Sequence, residues 1–484
     1  VSIDDLVHGW HEMESVLPDY QLAQDYYEGE VREVFPSREI ELAIASTGEN
    51  YKFGLAAIPI KTLVDRVELA GVRADDAKVE QVIADITKAN RLGVRWHDLV
   101  LATAEYGDAY LQVWDVDPAL AETESERRLA AVGVGVELQK PKHCRVFYDD
   151  ETERRKEFAL KRWVVRRGSD RLWRADLYYP DRVERWISKA GQGPADRSSW
   201  ERYFDVGQAD WEIGSPLGEV PFFHFRTGLP YGVPVHKAAY GCQNAVSKML
   251  ITQLTTTDSH GWPQRYQLLA VGAELDHASD DPDWADDADS SDDSTVQGGV
   301  SSKKRSGPGT IMTMSGTEEV GQFAAADPRV FTDPAELYIR LMAQLTTTPL
   351  HYFDPKGGTP SGESLKVADA PLVKSANRFK LLLTDPTEEF WDYALRLAGF
   401  TDPPPVKVRW MPSHSASTTA DWETVQVKQT AGVPIPVTLK EAGYEPEEVD
   451  AWDLPDHPVD AMVAVTEPVR PADLPTPPPP DPGV

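Results

Sequence analysis

The chain has 484 residues, room for two or three domains with sizeable cores, and its 79 acidic against 49 basic residues give a formal charge of −30. That excess argues against a protein that grips DNA or an anionic membrane by bulk electrostatics; if DNA is a partner, it slides past and does not stick. Two cysteines, Cys144 and Cys242, lie far apart with no CxxC spacing, so neither a metal cluster nor a disulfide framework is indicated. No apolar run approaches the roughly 18 residues of a membrane span and no signal-peptide pattern is present, which predicts a soluble, cytoplasmic protein without a membrane partner.

Residues 1 to about 107 read as helices. Ser2 and Asp5 can cap the first, and a second follows Pro18-Asp19 to a stop at Gly29. Ile58–Gly71, Asp75–Asn90 and Val94–Gly107 give three more helical stretches, the last running into Asp108–Trp114, which alternates like a strand. His8 and His11 stand three apart on a helix, but with no third ligand they read as a solvent-facing pair.

From Lys142 to Thr227 the pattern changes to short strands at Cys144–Tyr148, Phe158–Val165, Leu172–Tyr179, Arg182–Ile187 and Val220–Phe225. Trp163, Trp173, Trp186, Trp200 and Trp211 could form a stacking platform, yet aromatics spaced along antiparallel strands are more often packing. Gly232-Val233-Pro234 then opens a helix that ends at Thr255-Thr256-Thr257. Three strand-like runs follow, Arg265–Val271, Thr310–Met314 and Val320–Phe323. Among them sits a low-complexity insert, 278–302, where Asp280, Asp281, Asp283, Asp286, Asp287, Asp289, Asp292 and Asp293 crowd together. It lacks the central Gly and the twelfth-position Glu of an EF-hand, and reads as a self-repelling loop beside Lys303, Lys304 and Arg305.

Asp333-Pro334-Ala335-Glu336 has the chemistry of a helix start, with Asp333 as cap and Pro334 in the first turn. Apolar residues carry that helix to Thr346-Thr347-Thr348-Pro349. The segment His351–Pro360 is too rich in Gly and Pro for regular structure. Ser361-Gly362-Glu363-Ser364-Leu365-Lys366 then begins a much longer helix, in which Pro371 and Pro386 should make kinks or breaks before Gly399. Gly357–Ser364 nearly fits the nucleotide P-loop spacing. Glu363 stands where the phosphate-contacting lysine belongs, and no apolar strand leads in, so this is no nucleotide site. After Gly399 come a strand at Val406–Trp410, a helix near Asp421–Thr430 and another from Pro436. From Asp453 onward ten of 32 residues are proline, which reads as a flexible tail.

Several of these segments resemble the portal proteins of tailed bacteriophages. Ser361-Gly362 followed by Ser364-Leu365-Lys366 is similar to the family's "SG-x-(A/S)-L-K" start of its long helix. Ala104-Glu105-Tyr106-Gly107-Asp108-Ala109-Tyr110-Leu111 is similar to its "YG-x-A-Y" helix-to-strand turn, and Tyr26-Tyr27-Glu28-Gly29 to a wing segment. Leu177-Tyr178-Tyr179 with Arg182-Val183-Glu184 resembles its "VYT…V" hairpin, and Glu219–Phe225 its "VP-x-x-x-F" strand.

The resemblance implies an α+β portal-type subunit: a wing at 1–230, a first stem helix at 231–257, a clip at 258–331 and a second stem helix at 332–348. A tunnel loop at 349–362, a long kinked helix at 363–399, a small crown at 400–452 and the tail complete it. It implies further a ring of about twelve copies at one capsid vertex of the virion, assembled in the host cytoplasm. Double-stranded DNA would pass through its axis without sequence preference during packaging and ejection. The terminase large subunit, head-completion and neck proteins, and major capsid and scaffolding proteins would be its partners. Lys356, Gly357, Gly358, Thr359 and Pro360 would line the tunnel. Asp280, Asp281, Asp283, Asp286, Asp287, Lys303, Lys304 and Arg305 would lie in the clip where the motor and neck dock. The acidic insert departs from a compact clip, and the crown is small.

Two other function classes stay open on the residues alone. A hydrolase would need two carboxylates held in a pocket with separated pKa values, and no motif here selects two. GxSxG, HExxH and Cys/His patterns are absent, so no enzyme, cofactor or metal site is predicted. The third class is an adaptor or scaffold without a channel.

Overall fold

The computed structural model describes residues 2–30, 53–120, 123–149, 151–152, 155–168, 170–191, 193–204, 210–261, 265–269, 311–315, 319–322, 327, 329–353, 362–413, 425–441, 449 and 454. Over these residues the chain is mixed helix and sheet, compatible with the α+β class that the resemblance implies. The chain divides into two units, one of Val1–Asp65 and Val72–Val408, the other of Arg66–Gly71 and Arg409–Val484.

The first unit begins with helix α1, Ser2–Glu28, which runs straight through the expected break at Pro18. Leu6, Trp10 and Met13 before the proline, and Tyr20, Ala23 and Tyr26 after it, are all buried. Burying large side chains at about 1.5–3 kcal/mol each outweighs the roughly 3 kcal/mol cost of an interior proline. Helix α2 is Ala57–Val64. Residues 69–71, expected to continue it, are instead part of strand β1, Leu69–Arg73, which pairs with a strand from far along the chain. Local propensity yields there to a distant partner.

Helix α3, Ala77–Ala89, is capped by Asp76, whose side chain accepts from Lys78 N. Helix α4, Leu92–Tyr106, ends at Gly107 with φ 87°, and strand β2, Asp108–Asp115, follows at once. Helix α5, Glu124–Val132, and strand β3, Val134–Gln139, lie where the patterns predict no element, although Thr123 and Glu126 form a complete capping box.

Strands β4 (Cys144–Tyr148), β5 (Lys156–Arg167), β6 (Asp170–Tyr178), β7 (Arg182–Ser188) and β8 (Trp200–Arg202) make an antiparallel sheet in chain order, with β9 (Glu212–Gly214) also pairing β7. The α1 side chains Leu6, Trp10 and Met13 fill its core with Phe158, Leu160, Leu177, Trp186 and Trp200, while Trp173 and Trp211 pack at the margin. Four of the five tryptophans of this region are therefore packing residues. His8 and His11 are exposed on α1. Strand β10, Phe222–Arg226, pairs with β2, which pairs with β3.

Helix α6, Tyr240–Gly261, starts later than Gly232 and continues past the Thr triplet. Thr256 and Thr257 donate their hydroxyls to the carbonyls of Thr252 and Gln253 one turn back, so the β-branched run stays helical. Strand β11 (Arg265–Leu269) lies between β12 (Ile311–Ser315), parallel to it, and β13 (Glu319–Gln322), antiparallel. Helix α7, Arg329–Leu345, begins four residues before the expected cap. Asp327, rather than Asp333, accepts from the first helical N–H, that of Arg329, at 2.9 Å.

Helix α8, Gly362–Leu397, spans 36 residues, and neither proline breaks it. Beside Pro386, Thr384 and Thr387 turn their hydroxyls back onto Lys380 O and Leu383 O, and so supply donors next to the proline's missing N–H. Gly399, at φ 105°, lies just past its end. The second unit contains a strand pairing in which Met411 N donates to Glu68 O, and Arg66 and Ser413 exchange hydrogen bonds. Strand β14 is Lys407–Trp410, and helix α9 is Ile435–Glu441.

Candidate functional site

Three of the segments singled out in the sequence meet at one buried point. Gly107 turns α4 into β2 through a left-handed backbone, and the chain from Thr227 to Val235 threads across that turn. Thr227 N donates to Gly107 O and Val235 N to Ala104 O. The approach leaves no space for a side chain, since a Cβ on Gly232 would lie 2.0 Å from Gly107 O. One residue on, Asp108 accepts from Gly232 N (2.7 Å), from Tyr20 Oη (2.8 Å) and from His224 Nε2 (2.8 Å). The pairing of β2 with β10 sets Tyr110 opposite His224, so Asp108, Tyr110 and His224 share one side of the sheet. Tyr110 stacks on the His224 ring with centroids 4.4 Å apart.

The electrostatics of this node follow from its burial. Burial pushes the Asp108 carboxyl up, but His224, Gly232 and Tyr20 together hold it below the usual carboxylate range. Burial pushes His224 down, with Asp108 opposing only in part, so the imidazole is neutral. Its Nε2–H then donates to Asp108 and its Nδ1 accepts from Tyr148 Oη at 2.8 Å. An Asp-His-Tyr relay of this kind could do proton chemistry in an open cleft. Here the Asp108 and His224 side chains are each 1% exposed, so no substrate reaches them. The node fixes how the segment leading to α6 leaves the sheet. Two further contacts brace the same exit. Tyr26 and Tyr240 stack with centroids 3.8 Å apart, and His236 donates from Nε2 to Ala23 O.

Beyond the node, α6 and α7 are one another's main helical neighbours. The start of α6 (Cys242, after Ala239) and the end of α7 (Met342) share one apolar cluster with Tyr26 and Ala56, so the helices run antiparallel. After α7 the chain turns at Thr347 (φ 53°), whose hydroxyl lies 3.2 Å from that of Ser375 on α8. His351 and Tyr352 both reach Asp369 of α8, at 3.5 Å. The stretch leading toward the predicted loop is thus tied to the long helix.

The sequence-predicted site residues are not brought together by anything described. Lys356, Gly357, Gly358, Thr359 and Pro360 lie outside the described residues, as do Asp280, Asp281, Asp283, Asp286, Asp287, Lys303, Lys304 and Arg305. Asp108 and His224 were missed because nothing in a single sequence links residues 116 apart. The only trace was an acid and an aromatic two apart on an alternating strand. Both cysteines are free and buried. Among the described residues no group of His, Cys, Asp or Glu could hold a metal, and no helix is long and apolar enough to cross a membrane.

Sealed from solvent, the node acts as an internal brace. The comparisons with known proteins bear on the role of the whole chain. A protein named portal protein from Mycobacterium phage D29 is 23% identical over 437 residues, covering 83% of this chain and 78% of that protein. The resemblance to tailed-phage portal proteins thus extends along most of the chain. A chain of the virion of a native gene transfer agent particle aligns with 91% of this chain and 99% of its own, at 11% identity and a TM-score of 0.39, too low to carry an argument. No family model matches.

Proposed function

We propose that the chain is a phage portal subunit, one copy of a ring at a capsid vertex through which double-stranded DNA is packaged and ejected. The observation that carries this reading is the extended similarity to a named portal protein. The architecture supports it. An antiparallel helix pair (α6, α7) stands on a braced α/β body and carries a small sheet (β11–β13) between its far ends, as stem helices and clip would. On this reading Lys356–Pro360 form the tunnel loop, and the acidic insert with Lys303–Arg305 belongs to the face that meets the terminase motor and the neck proteins. The role is structural, without catalysis. An acidic conduit suits passage, because DNA phosphates are repelled by its bulk charge and a lone lysine is too hydrated and screened to hold them.

The test has two stages. Sedimentation should give a particle of about twelve chains; a chain that stays single under all conditions sinks the reading. In confirmed rings, Gly357→Pro with Gly358→Pro should stiffen the loop and impair packaging while leaving assembly alone. Normal packaging by those rings would remove the loop from the mechanism.

A further inference from the structure

Strands β5 and β6 run on past the sheet that holds them. Pairing of β5 with β4 stops at Lys161 opposite Cys144, and pairing of β6 with β7 stops at Arg174 opposite Ile187. From Val164 to Arg167 and from Asp170 to Trp173 the two strands pair, among the described residues, only with each other. The hairpin therefore ends in a two-stranded ribbon about 10 Å long.

Arg166 and Arg171 stand directly opposite one another on this ribbon, and both are exposed. By alternation they share the side that faces α1. Arg162, four residues before Arg166, ion-pairs with Glu14 of α1, and Trp173, two after Arg171, packs edge-on against Trp10 of the same helix. Cβ atoms of such an opposed pair are about 5 Å apart, where two like charges are destabilising.

No acid on that side offsets them. The one acid of the ribbon, Asp170, stands opposite Arg167, a step along and so on the other face. Acids of the neighbouring elements are taken: Glu14 by Arg162, Asp176 by Arg174, Glu184 by Arg182 and Asp4 by Arg197. Arg166 and Arg171 are left without an ion pair among the described residues, on a chain whose formal charge is −30.

One exposed arginine is ordinary. Two held face to face on a paired ribbon, against their own repulsion, are placed for an anion that meets both. A planar carboxylate presents one edge to one guanidinium fork, whereas a tetrahedral phosphate offers oxygens to forks on two sides. A two-stranded ribbon also has the width that the major groove of duplex DNA admits.

We infer that Arg166 and Arg171 clamp a backbone phosphate of duplex DNA. This rests on the DNA-conduit reading above and adds a contact to it: the acidic body repels the duplex, and the ribbon touches its backbone without reading sequence.

The test compares the full wild-type chain with Arg166→Gln/Arg171→Gln and Arg166→Lys/Arg171→Lys. Binding of a short duplex of random sequence is followed by fluorescence anisotropy over a series of salt concentrations. The plot of log K against log salt should be shallower for the glutamine variant by about 0.9, the counterion release of one phosphate. The lysine variant should keep the wild-type slope and bind severalfold more weakly, because an ammonium lacks the fork. In chloride the glutamine variant should melt no lower than the wild type, since it is relieved of a repulsion. Inorganic phosphate at equal ionic strength should then raise the wild-type midpoint more than the variant's.

No measurable DNA binding by the wild type, or an unchanged slope in the glutamine variant, overturns the DNA contact, even where the phosphate effect on melting is present. Polyglutamate that binds the wild type more tightly than the duplex, and is released by the glutamine substitutions, makes an acidic protein the occupant and overturns it too. A glutamine variant that melts well below the wild type makes the pair structural and rejects the clamp. None of these results bears on the ring, which the sedimentation above decides by itself.

Discussion

The node at Asp108 and the outer face of α7 handle unfavourable groups in opposite ways. At the node every charged or polar atom of Asp108 and His224 finds a partner inside the same chain, so a buried carboxylate is tolerated. On α7 large aliphatic side chains are left in water although the helix has a properly buried face at Ala335, Met342 and Ala343. The first arrangement is complete in one chain. Nothing among the described residues covers the second. Substitution should therefore cost stability in the first region and little in the second.

The largest effect is expected at Gly232. Its added Cβ would meet the Gly107 carbonyl at 2.0 Å, a backbone atom that cannot swing away, so Gly232→Ala should cost on the order of 4 kcal/mol or prevent folding. Gly241 on α6 has nothing within 4 Å of such a Cβ, and Gly241→Ala should gain up to about 1 kcal/mol of helix stability. Urea denaturation of the two variants gives the contrast directly; similar midpoints would mean the crossing is not tight.

Next in size is the node itself. Asp108→Ala orphans three donors, the buried Tyr20 and His224 side chains and the half-buried Gly232 N–H, and should cost about 3 kcal/mol. Leu337→Ala, at a side chain 54% exposed, should change stability by no more than about 0.5 kcal/mol. If the two variants unfold at the same urea concentration, the division between the two regions is wrong.

In the wild type the net pH dependence from two buried groups is small, because they oppose each other. Burial holds His236 down at about 4, with the Ala23 carbonyl opposing only in part. An unfolded histidine titrates near 6.5, so stability is lost as pH falls from there toward 4. Burial lifts Asp176 to about 6 despite Arg174 and Arg185. The folded chain takes up that proton before the unfolded chain does, so stability is gained as pH falls from 6 toward 4. Each contribution reaches about 3 kcal/mol, with opposite sign. Relative to the wild type, His236→Gln should lose less stability over that fall in pH, and Asp176→Asn should lose more. Urea midpoints at pH 6, 5 and 4 whose slopes shift from the wild type in the same direction in both variants would refute the assignment.

What the sequence by itself determined were the features carried by neighbouring residues. The strands from Cys144 to Phe225 come from alternation, the end of α4 from a glycine able to take a left-handed backbone, and the end of α7 from Thr346–Pro349. The ordered motifs from Tyr26 to Lys366 determined the resemblance to portal proteins. What only the tertiary structure decided were the outcomes set by distant partners. Residues 69–71 became strand because a segment near residue 410 paired with them. Pro18 and Pro386 stayed inside helices because burial and threonine hydroxyls offset the missing bonds. Asp108 met His224, and α7 kept a second face bare, because a chain's polar and apolar groups are matched in space, and spacing along the sequence does not record which distant group will arrive.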